Sequence, residues 1–554
     1  MLTHALLCAT LALGALAAPT FYVDCGAGSD AGGGTAASPW RTLGRAQAAV
    51  RPAPAGATVL IRGDCFPVDA SGAFDGTGAV LSLGPVDSGA PGAPVTWAAW
   101  PGASARLLGG VAIPAAAWAP AGAAAPVPGT LMADLGAGGV DAAKWGLGSL
   151  AGGGLGQCVD TMAELFFNGA PQYLARFPNV DPSSGAWEWL EISRVMDKEN
   201  TFVVNGTGAE HALQWGSAAS SPGGAPWVHG FWSYDWADSY TRVKSVTSDG
   251  QGGAEITIDP STPPVYGFLP KARFMGVNIL SELDFSGEYF IDQIKEVIYW
   301  MPPPGGVQAD DEVFLSVAHT LVNTSSAGGS PVANVAFSGL QALYARSTGF
   351  ALEGVENVTL TGITSALHGH TGVSLVGTGL TLRDSLIFGT GCAAATVTGG
   401  DVAKLLPSGN LVANNTMHDY ARIIRTYNPG LGWFGAVGQT MVNNTFRNAP
   451  HNGMLGGGAL NLVQGNVFDT LLYEATDSGA FYVGYSWTNR GNVVRGNTFR
   501  NIRATEKTTL GYPSVQCVEA VAQRTAGGCL PTHTHTHHTH KNTRTRTHTQ
   551  THKF

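Results

Sequence analysis

The side chains best suited to chemistry recur at one position in successive copies of a short repeat. Arg422, His451 and Tyr473 each stand five residues after the matched apolar residue of their copy, and Glu474 and Asp477 follow shortly. If the copies stack, these side chains share one outer face. Hydrolysis of a glycosidic bond requires two carboxyl groups, about 5–5.5 Å apart for retention or about 6.5–9.5 Å apart for inversion. In a stack of coils, equivalent side chains that are one or two rungs apart have such separations.

Asp477 is the best single candidate for a catalytic carboxyl group. It stands in the motif TDSGA, where the small residues that follow leave space beside it. Its role is that of an acid or a base, and the sequence does not choose between them. A corner aspartate that bonds its own backbone is the alternative. Glu474 and His451 are candidates for the second carboxyl group and for an orienting group, with a solvated charge and a turn histidine as their alternatives.

Six further residues are candidates for contact with a sugar: Arg422, Tyr485, Trp487, Arg490, Trp232 and Trp236. Tyr485 and Trp487 alternate in FYVGYSW, so they share a face if this segment is a strand. Sugar rings stack on such aromatic faces, although packing inside the protein also explains aromatic residues here. The arginines are suited to bind substrate hydroxyl or acid groups, and salt bridges at turns are an equal alternative.

The repeat itself predicts how these residues are positioned. Four segments align in register: GNLVANNTM from Gly409, GQTMVNNTF from Gly438, LNLVQGNVF from Leu460 and GNVVRGNTF from Gly491. A unit this short has too little core to stand alone and must stack on its copies, which predicts a parallel β-helix. Its Val/Met and Phe columns fill the bore. Its Asn columns form amide ladders at left-handed turns, a purely structural role.

The fold class is therefore all-β, a right-handed parallel β-helix (solenoid) with an inserted antiparallel β domain. We place an N-terminal cap and first coils at 19–114, the insertion at 115–335 and the remaining coils at 336–516. The cap has the pattern strand, loop, short amphipathic helix, strand. The insertion lacks the repeat, is richer in Trp and Tyr, and contains alternating segments typical of strands.

Composition and targeting signals narrow the class of protein. The net charge of −9 provides no basic stripe for phosphates, so nucleic acid is not an expected partner. Residues 1–18 have the apolar run and small-residue site of a secretory signal peptide, and no later stretch is long enough to span a membrane. We expect a secreted glycoprotein, with sequons at Asn205, Asn323, Asn357, Asn414 and Asn443.

The cysteines and the C-terminal tail complete these expectations. Six cysteines remain after removal of the signal peptide, and Cys25 with Cys65 is the first disulfide pair to test. Their spacing resembles no metal site, so we expect neither a metal nor another cofactor. The tail 517–554 alternates Thr and His, as a translated dinucleotide repeat would. A disordered segment or gene-model read-through explains it more simply than a metal-binding function.

Several motifs together resemble secreted right-handed β-helix proteins, and in particular β-helix glycoside hydrolases that act on cell-wall glycans. They are FYVDCGAGSD, LFFNGAPQYLARFPN, HGFWSYDWAD, ILSELDFSGEYFID, NAPHNGML and YEATDSGAFYVGYSWTNRGN. The resemblance covers most of residues 20–516. Relatives continue after Gln516 with a coil carrying an acidic pair of the YLDD kind, whereas this chain reads CVEAVAQRTAGGCL. The resemblance implies that, if this coil carries the second catalytic carboxylate, the present chain lacks that carboxylate and is a truncated, inactive enzyme.

The leading hypothesis is a glycoside hydrolase whose partner is a polysaccharide. A lyase or epimerase on uronic acids is the alternative within enzymes, although the coils lack a cluster suited to Ca²⁺. A non-catalytic glycan-binding or adhesive β-helix is the third hypothesis. The sequence leaves the sugar, the stereochemistry and the oligomeric state open.

Overall fold

The computed structural model describes residues 18–51, 56–69, 72–150, 156–159, 162–183, 186–215, 226–324, 329–484, 486–503, 515–520 and 549–553. For 515–520 and 549–553 it describes the backbone. The predicted signal peptide, Tyr485 and most of the Thr-His tail therefore lie outside the described residues.

The chain begins with a cap and the first coils. These comprise β1 (Thr20–Asp24), α1 (Leu43–Val50), β2 (Thr58–Cys65), β3 (Leu81–Leu83), β4 (Val95–Ala99) and β5 (Ala105–Leu108). Strands β1 and β2 pair in parallel. Helix α1 buries Leu43, Ala46 and Val50 against this end of the stack, which is the predicted order of strand, helix and strand. The predicted disulfide between Cys25 and Cys65 is present.

Within the described residues, the insertion consists of three sheets, antiparallel apart from one parallel pair of strands, and two α-helices. Its first part contains β6 (Gly110–Ala112), β7 (Ala119–Pro120), β8 (Leu131–Asp134), α2 (Ala142–Trp145), β9 (Leu165–Phe167), β10 (Ala170–Pro171), β11 (Tyr173–Leu174), β12 (Arg176–Phe177), β13 (Leu190–Glu191), β14 (Arg194–Asp197) and β15 (Thr201–Val204). Its second part contains α3 (Thr207–Trp215), β16 (Trp227–Phe231), β17 (Asp238–Ser248), β18 (Ala254–Ile258), β19 (Arg273–Val277), β20 (Glu288–Asp292), β21 (Val297–Trp300) and β22 (Val313–Ser316). Among the described residues, no helix is both long and apolar enough to cross a bilayer.

The coils resume directly after the insertion. They contain β23 (Thr320–Thr324), β24 (Val332–Ser338), β25 (Gln341–Leu343), β26 (Thr348–Thr361), β27 (Thr364–Ala366), β28 (Val373–Thr378), β29 (Thr381–Arg383), β30 (Leu386–Phe388), β31 (Ala395–Thr398), β32 (Leu411–Ala413) and β33 (Thr416–His418). They continue with β34 (Leu431–Val437), β35 (Thr440–Val442), β36 (Thr445–Ala449), β37 (Met454–Ala459), β38 (Leu462–Gln464), β39 (Val467–Leu471), β40 (Ser478–Val483), β41 (Val493–Ile502), β42 (Val515–Ala520) and β43 (Thr549–Lys553).

Within the described residues, 26 strands belong to one continuous sheet wound into a right-handed parallel β-helix. Each full coil contributes one strand to each of three faces. Face 1 contains β28, β31, β34, β37 and β40, face 2 contains β29, β32, β35 and β38, and face 3 contains β27, β30, β33, β36 and β39. We call the segments that lead from face 3 to face 1 the 3-to-1 turns.

The structure shifts three of the predicted boundaries. The sheets of the insertion run from Gly110 to Ser316, and β23 already pairs in parallel with the coil strands β3 and β26. Residues 320–324 and 332–335, placed in the insertion by sequence, therefore belong to the stack, because the repeat is too degenerate there to be recognised. At the other end, β42 adds a parallel rung to β40, and β43 pairs antiparallel with β41, so parts of the predicted disordered tail form strands.

The predicted bore and one predicted amide ladder are present in the predicted register, whereas the column through Gln439 is interrupted, because its side-chain amide has no partner among the described residues. Met417, Phe446, Phe468 and Phe499 lie on neighbouring rungs, and the rings of Phe446 and Phe468 are fully buried. Asn415, Asn444, Asn466 and Asn497 form a continuous amide ladder, each Nδ2 donating to the next Oδ1 at 2.9–3.0 Å. The left-handed residue stands one position earlier than predicted. These preceding residues are Asn414, Asn443, Gly465 and Gly496.

Replacing one ladder amide should destabilise the stack strongly. Asn466 Oδ1 accepts from the Asn444 backbone and side chain, and its Nδ2 donates to Met441 O. Asn466→Ala leaves these buried groups unpaired, so we expect the free energy of unfolding to fall by about 3 kcal/mol, since each costs about 1–3 kcal/mol. Gln464→Ala on the same coil removes a surface contact to Arg495 and should cost less than about 1 kcal/mol. Equal losses in urea unfolding would contradict a structural role for the ladder.

Candidate active-site cleft

The topology places the insertion over the 3-to-1 turns. The insertion leaves the stack after β5, a strand that pairs with face-3 strand β25, and returns at β23, which pairs with face-1 strand β26. It therefore emerges at the same corner that the later coils use for their 3-to-1 turns. A cleft of about 830 Å³ lies between the insertion and these turns. Clefts of this size between structural units are typical ligand sites.

One wall of the cleft is a column of left-handed corner residues from six successive coils. They are Leu367, Gly389, Asp419, Asn448, Thr470 and Asn501, with φ between 51° and 64°. Asn and Asp tolerate this conformation better than other side-chain-bearing residues. The last four members of the corner column thus present polar side chains on successive rungs, and Asp419 is the one carboxylate among the six.

The facing wall comes from the insertion. Tyr173, Arg176, Trp187, Tyr240 and Tyr289 line it. Burial raises the pKa of Tyr240 and Tyr289, so their hydroxyl groups remain protonated and serve as donors. The hydroxyl group of Tyr240 donates to Ile423 O at 3.2 Å and thereby ties the insertion to a 3-to-1 turn.

Glu474 and Arg425 form a buried ion pair in the cleft. Arg425 Nε donates to Glu474 Oε2 at 2.7 Å, and Nη2 contacts Oε1. The side chains are 2% and 6% exposed, respectively. The Arg425 guanidinium also stacks on Trp187, 4.2 Å from its ring centre. Glu474 is therefore fixed in position by a bidentate contact.

A second ion pair joins the two walls. Glu164, from the insertion, accepts two hydrogen bonds from Arg422 at 2.8 and 3.2 Å. Arg422 Nε donates to Gly389 O at 2.7 Å, which anchors the guanidinium to the corner column. Because both carboxylate oxygens of Glu164 accept from Arg422, this ion pair joins the insertion to the coils across the cleft.

Asp419 is the most accessible of the three cleft carboxylates. Its side chain is 43% exposed, against 9% for Glu164 and 2% for Glu474. Its oxygens contact His418 Nδ1 and Asn448 Nδ2. Asp419 and Glu474 both act electrostatically on Tyr473, whose pKa is raised by burial. The cleft thus combines a fixed, buried carboxylate with a solvent-accessible one near the same tyrosine.

The structure brings three of the sequence-predicted residues into this cleft and places the other described ones elsewhere. Arg422, Tyr473 and Glu474 line it. His451 is fully buried beneath Tyr427, and burial lowers its pKa to about 4. Asp477 is exposed at a left-handed turn before β40, outside the cleft lining. The repeat predicted that His451 and Asp477 lie on the same face as Arg422 and Glu474, but neither lines the cleft. The reason is that these 3-to-1 turns differ in length and path.

The described ones among the other predicted sugar-contacting residues are also separated from one another. Trp232 lies in the core of the insertion, 2% exposed, with its indole N–H donating to Ser239. It is therefore a packing residue. Trp236 is half-buried at the surface of the insertion, and Trp487 is 74% exposed. Arg490 is exposed, while its backbone bridges to Ala459.

Sequence reasoning missed Glu164, Arg425, Asp419 and Trp187. The repeat provides a signal for Asp419, because it occupies the same corner as Asn448 two residues after the matched apolar position. Glu164 and Trp187 belong to the insertion, whose sequence carries no repeat from which a position relative to the coils could be predicted.

The disulfide between Cys158 and Cys392 fastens the insertion to the stack. His370 lies beside it, and these three are the group with metal-ligand spacing in the described part of the chain.

Glu288, just behind the insertion wall, should make stability depend on pH. Burial raises its pKa to about 8, whereas an unfolded glutamate titrates near about 4.3. Between these values the folded state binds the extra proton, so stability falls as pH rises, by at most about 1.4 kcal/mol per pH unit. Glu288→Gln should flatten this slope between about pH 5 and 8 in urea unfolding. An unchanged slope would contradict a protonated Glu288.

Comparisons with known proteins place the fold. Neither a family model nor a curated protein matches the sequence. Among solved structures, the chain is similar to one described as a glycoside hydrolase, with 14% identity, a TM-score of 0.61, and coverage of 91% of this chain and 95% of that one. It is also similar to a complex of XylC with xylose, with 11% identity, a TM-score of 0.46, and coverage of 85% and 67%. The first similarity shows a shared fold, the right-handed parallel β-helix.

Proposed function

We propose that this protein is a glycan-acting hydrolase and that its reaction takes place in the cleft between the insertion and the 3-to-1 turns. The observation that carries the proposal is the presence there of Asp419 and Glu474, of very different exposure, beside one tyrosine. Hydrolysis of a glycosidic bond uses two carboxyl groups in different roles. The shared fold with a solved glycoside hydrolase is consistent with this function, although a fold alone does not fix an activity.

The environments of the two carboxylates suit them to different roles. We assign Glu474 to the charged role, because Arg425 holds it in one orientation. In that role it stabilises positive charge at the anomeric carbon, as a nucleophile or by orienting water. Asp419 is assigned to proton transfer, since a group that gives its proton to the leaving oxygen must regain one each cycle. Its 43% exposure gives it access to solvent.

An exposed aromatic side chain of the cleft would bind the sugar. Tyr173, which is 37% exposed, lines the cleft beside fixed polar groups, and an apolar lining with a few fixed polar groups is typical of ligand pockets. The predicted polysaccharide substrate of a cell wall is compatible with an open-sided cleft. Asp477 stays a candidate from sequence, and the assay below includes it.

Release of reducing ends from a panel of xylan, β-glucan, mannan and pectin tests the proposal. Asp419→Asn should lower turnover on the cleaved glycan by about 10²–10⁴-fold, the usual contribution of a general acid or base. Asp384→Asn is the matched control: Asp384 is also a left-handed corner aspartate and also 43% exposed, but it stands at another corner. Activity retained in Asp419→Asn and lost in Asp477→Asn would place the active site at Asp477 and not in the cleft. An unsaturated product would favour the lyase alternative.

A further inference from the structure

Five aromatic rings form a second surface that runs from the insertion onto the coils. We call it the aromatic track, and it consists of Tyr234, Trp236, Tyr266, Tyr427 and Tyr482. Each ring centre lies 4.8–6.5 Å from that of its neighbour along the track. None of the five lines the cleft. The track is therefore a separate feature.

The part of the track in the insertion is held rigidly while it stays accessible. Tyr234 and Trp236 stack with ring centres 4.8 Å apart and planes 12° from parallel. Tyr266 meets both edge-on, at 5.1 and 5.4 Å. The buried hydroxyl group of Ser233 donates to Gly267 O at 2.6 Å and so ties the two loops together. Tyr234 and Tyr266 are nevertheless 38% and 37% exposed.

The part of the track on the coils rests on a buried histidine. The backbone N–H of Tyr427 donates to His451 Nδ1 at 3.2 Å, and the two rings pack with centres 4.9 Å apart. His451 Nε2 is buried and has no hydrogen-bond partner within the described residues. Tyr427 then faces Trp236 on one side and Tyr482 on the other. A charge on His451 would be costly there, and burial indeed lowers its pKa.

A joint at Asp238 connects the track to the cleft. Asp238 accepts hydrogen bonds from the backbone N–H groups of Arg425 and Thr426 at 2.8 and 3.0 Å. Trp236 stands two residues before Asp238, and Tyr427 directly follows Thr426. The Arg425 side chain enters the cleft, where it binds Glu474. The two surfaces thus adjoin at this joint, on elements fixed to one another.

We propose that the aromatic track is an accessory binding surface for a neutral stretch of the same polysaccharide whose bond is cleaved in the cleft. The inference rests on the proposed function. The apolar face of a pyranose stacks on an aromatic ring, while its hydroxyl groups bond to tyrosine hydroxyl groups. The track contains no charged side chain, which favours a neutral sugar. Exposed apolar patches often mark interaction sites, and an aromatic surface that spans the insertion and the coils suits a polymer better than a single sugar.

Affinity electrophoresis tests the inference without reference to catalysis. The full chain is run through native gels containing soluble xylan, β-glucan, mannan or pectin, and retardation gives the dissociation constant. We expect retardation in a gel of neutral glycan, and at least about tenfold weaker binding for Trp236→Ala, as for the loss of one aromatic anchor. Phe434→Ala removes a 52% exposed aromatic elsewhere on the stack and should leave binding unchanged.

The possible outcomes separate the two proposals. Absence of retardation in every gel, or equal retardation of Trp236→Ala and the unchanged chain, would overturn the track even if the glycan is hydrolysed. Retardation in pectin alone would overturn its neutral specificity. Weaker binding of Trp236→Ala together with a completely inactive cleft would support the track as a binding surface for glycan and refute both the proposed hydrolysis and the accessory role in it. Tyr266→Ala, at a second position of the track, guards against misfolding of the first variant.

Discussion

Glu474→Gln should abolish hydrolysis while it also weakens the fold. The substitution removes the fixed negative charge from the cleft, so we expect turnover to fall by about 10²–10⁴-fold. It also leaves the guanidinium of Arg425 buried without a counter-charge, with its side chain 6% exposed. Breaking a buried ion pair in this way costs about 3–5 kcal/mol. Reducing-end assays and urea unfolding measure the two effects on the same preparation.

A double variant separates the catalytic effect from the structural one. Arg425→Met combined with Glu474→Gln removes both charges and retains a long side chain next to Trp187. Replacing both members of a buried pair by uncharged residues is often neutral for stability. We therefore expect the double variant to recover most of the lost free energy of unfolding and none of the activity. Recovery of both would show that Glu474 acts only by supporting the fold.

Asp238→Ala should detach the insertion from the stack at the rear of the cleft. The Asp238 carboxylate is fully buried and accepts from His229 Nε2 at 2.8 Å and from the Thr426 hydroxyl at 2.6 Å. It also accepts from the backbone of Arg425 and Thr426. Burial lowers the pKa of His229, which leaves a neutral ring that donates to Asp238. Loss of these bonds should cost about 3 kcal/mol or more, because each unpaired buried group costs about 1–3 kcal/mol.

The readout for Asp238→Ala is local as well as global. Hydrogen exchange should accelerate in the turn that carries Arg425 and in β16 and β17, while the backbone at the amide ladder of Asn415, Asn444, Asn466 and Asn497 stays protected. Asp259→Ala, on a partly exposed turn of the insertion where it caps Ser261, should cost about 1 kcal/mol and leave these segments unchanged. Uniform acceleration in the whole chain, or none, would contradict a joint at Asp238.

The stack could be predicted from sequence because its rules are local and repeated. The apolar column at Met417, Phe446 and Phe468 recurs in register, and each copy has to bury the same side chains. The same holds for the ladder at Asn444 and Asn466, where the amide must pair with the next rung. In these columns, the type of a residue therefore predicts its position in the coil.

The cleft could be predicted only in part, since half of it comes from a segment without a repeat. Arg422 and Glu474 stand in coils, and their register placed them on the correct turns. Glu164 meets Arg422 across a separation of 258 residues, and no periodicity relates the two. The 3-to-1 turns also vary in length, so equal distance from a matched residue did not give equal position. His451 and Asp477 show this difference most clearly.

The most direct test is a crystal structure of the Glu474→Gln variant, or of the stable double variant, soaked with an oligosaccharide that the unchanged chain cleaves. We predict that the sugar occupies the cleft, with a glycosidic oxygen within hydrogen-bond distance of Asp419 and a ring next to residue 474. A sugar bound next to Asp477 with the cleft vacant would contradict the assignment. Failure of the unchanged chain to cleave any glycan in the panel would contradict it equally.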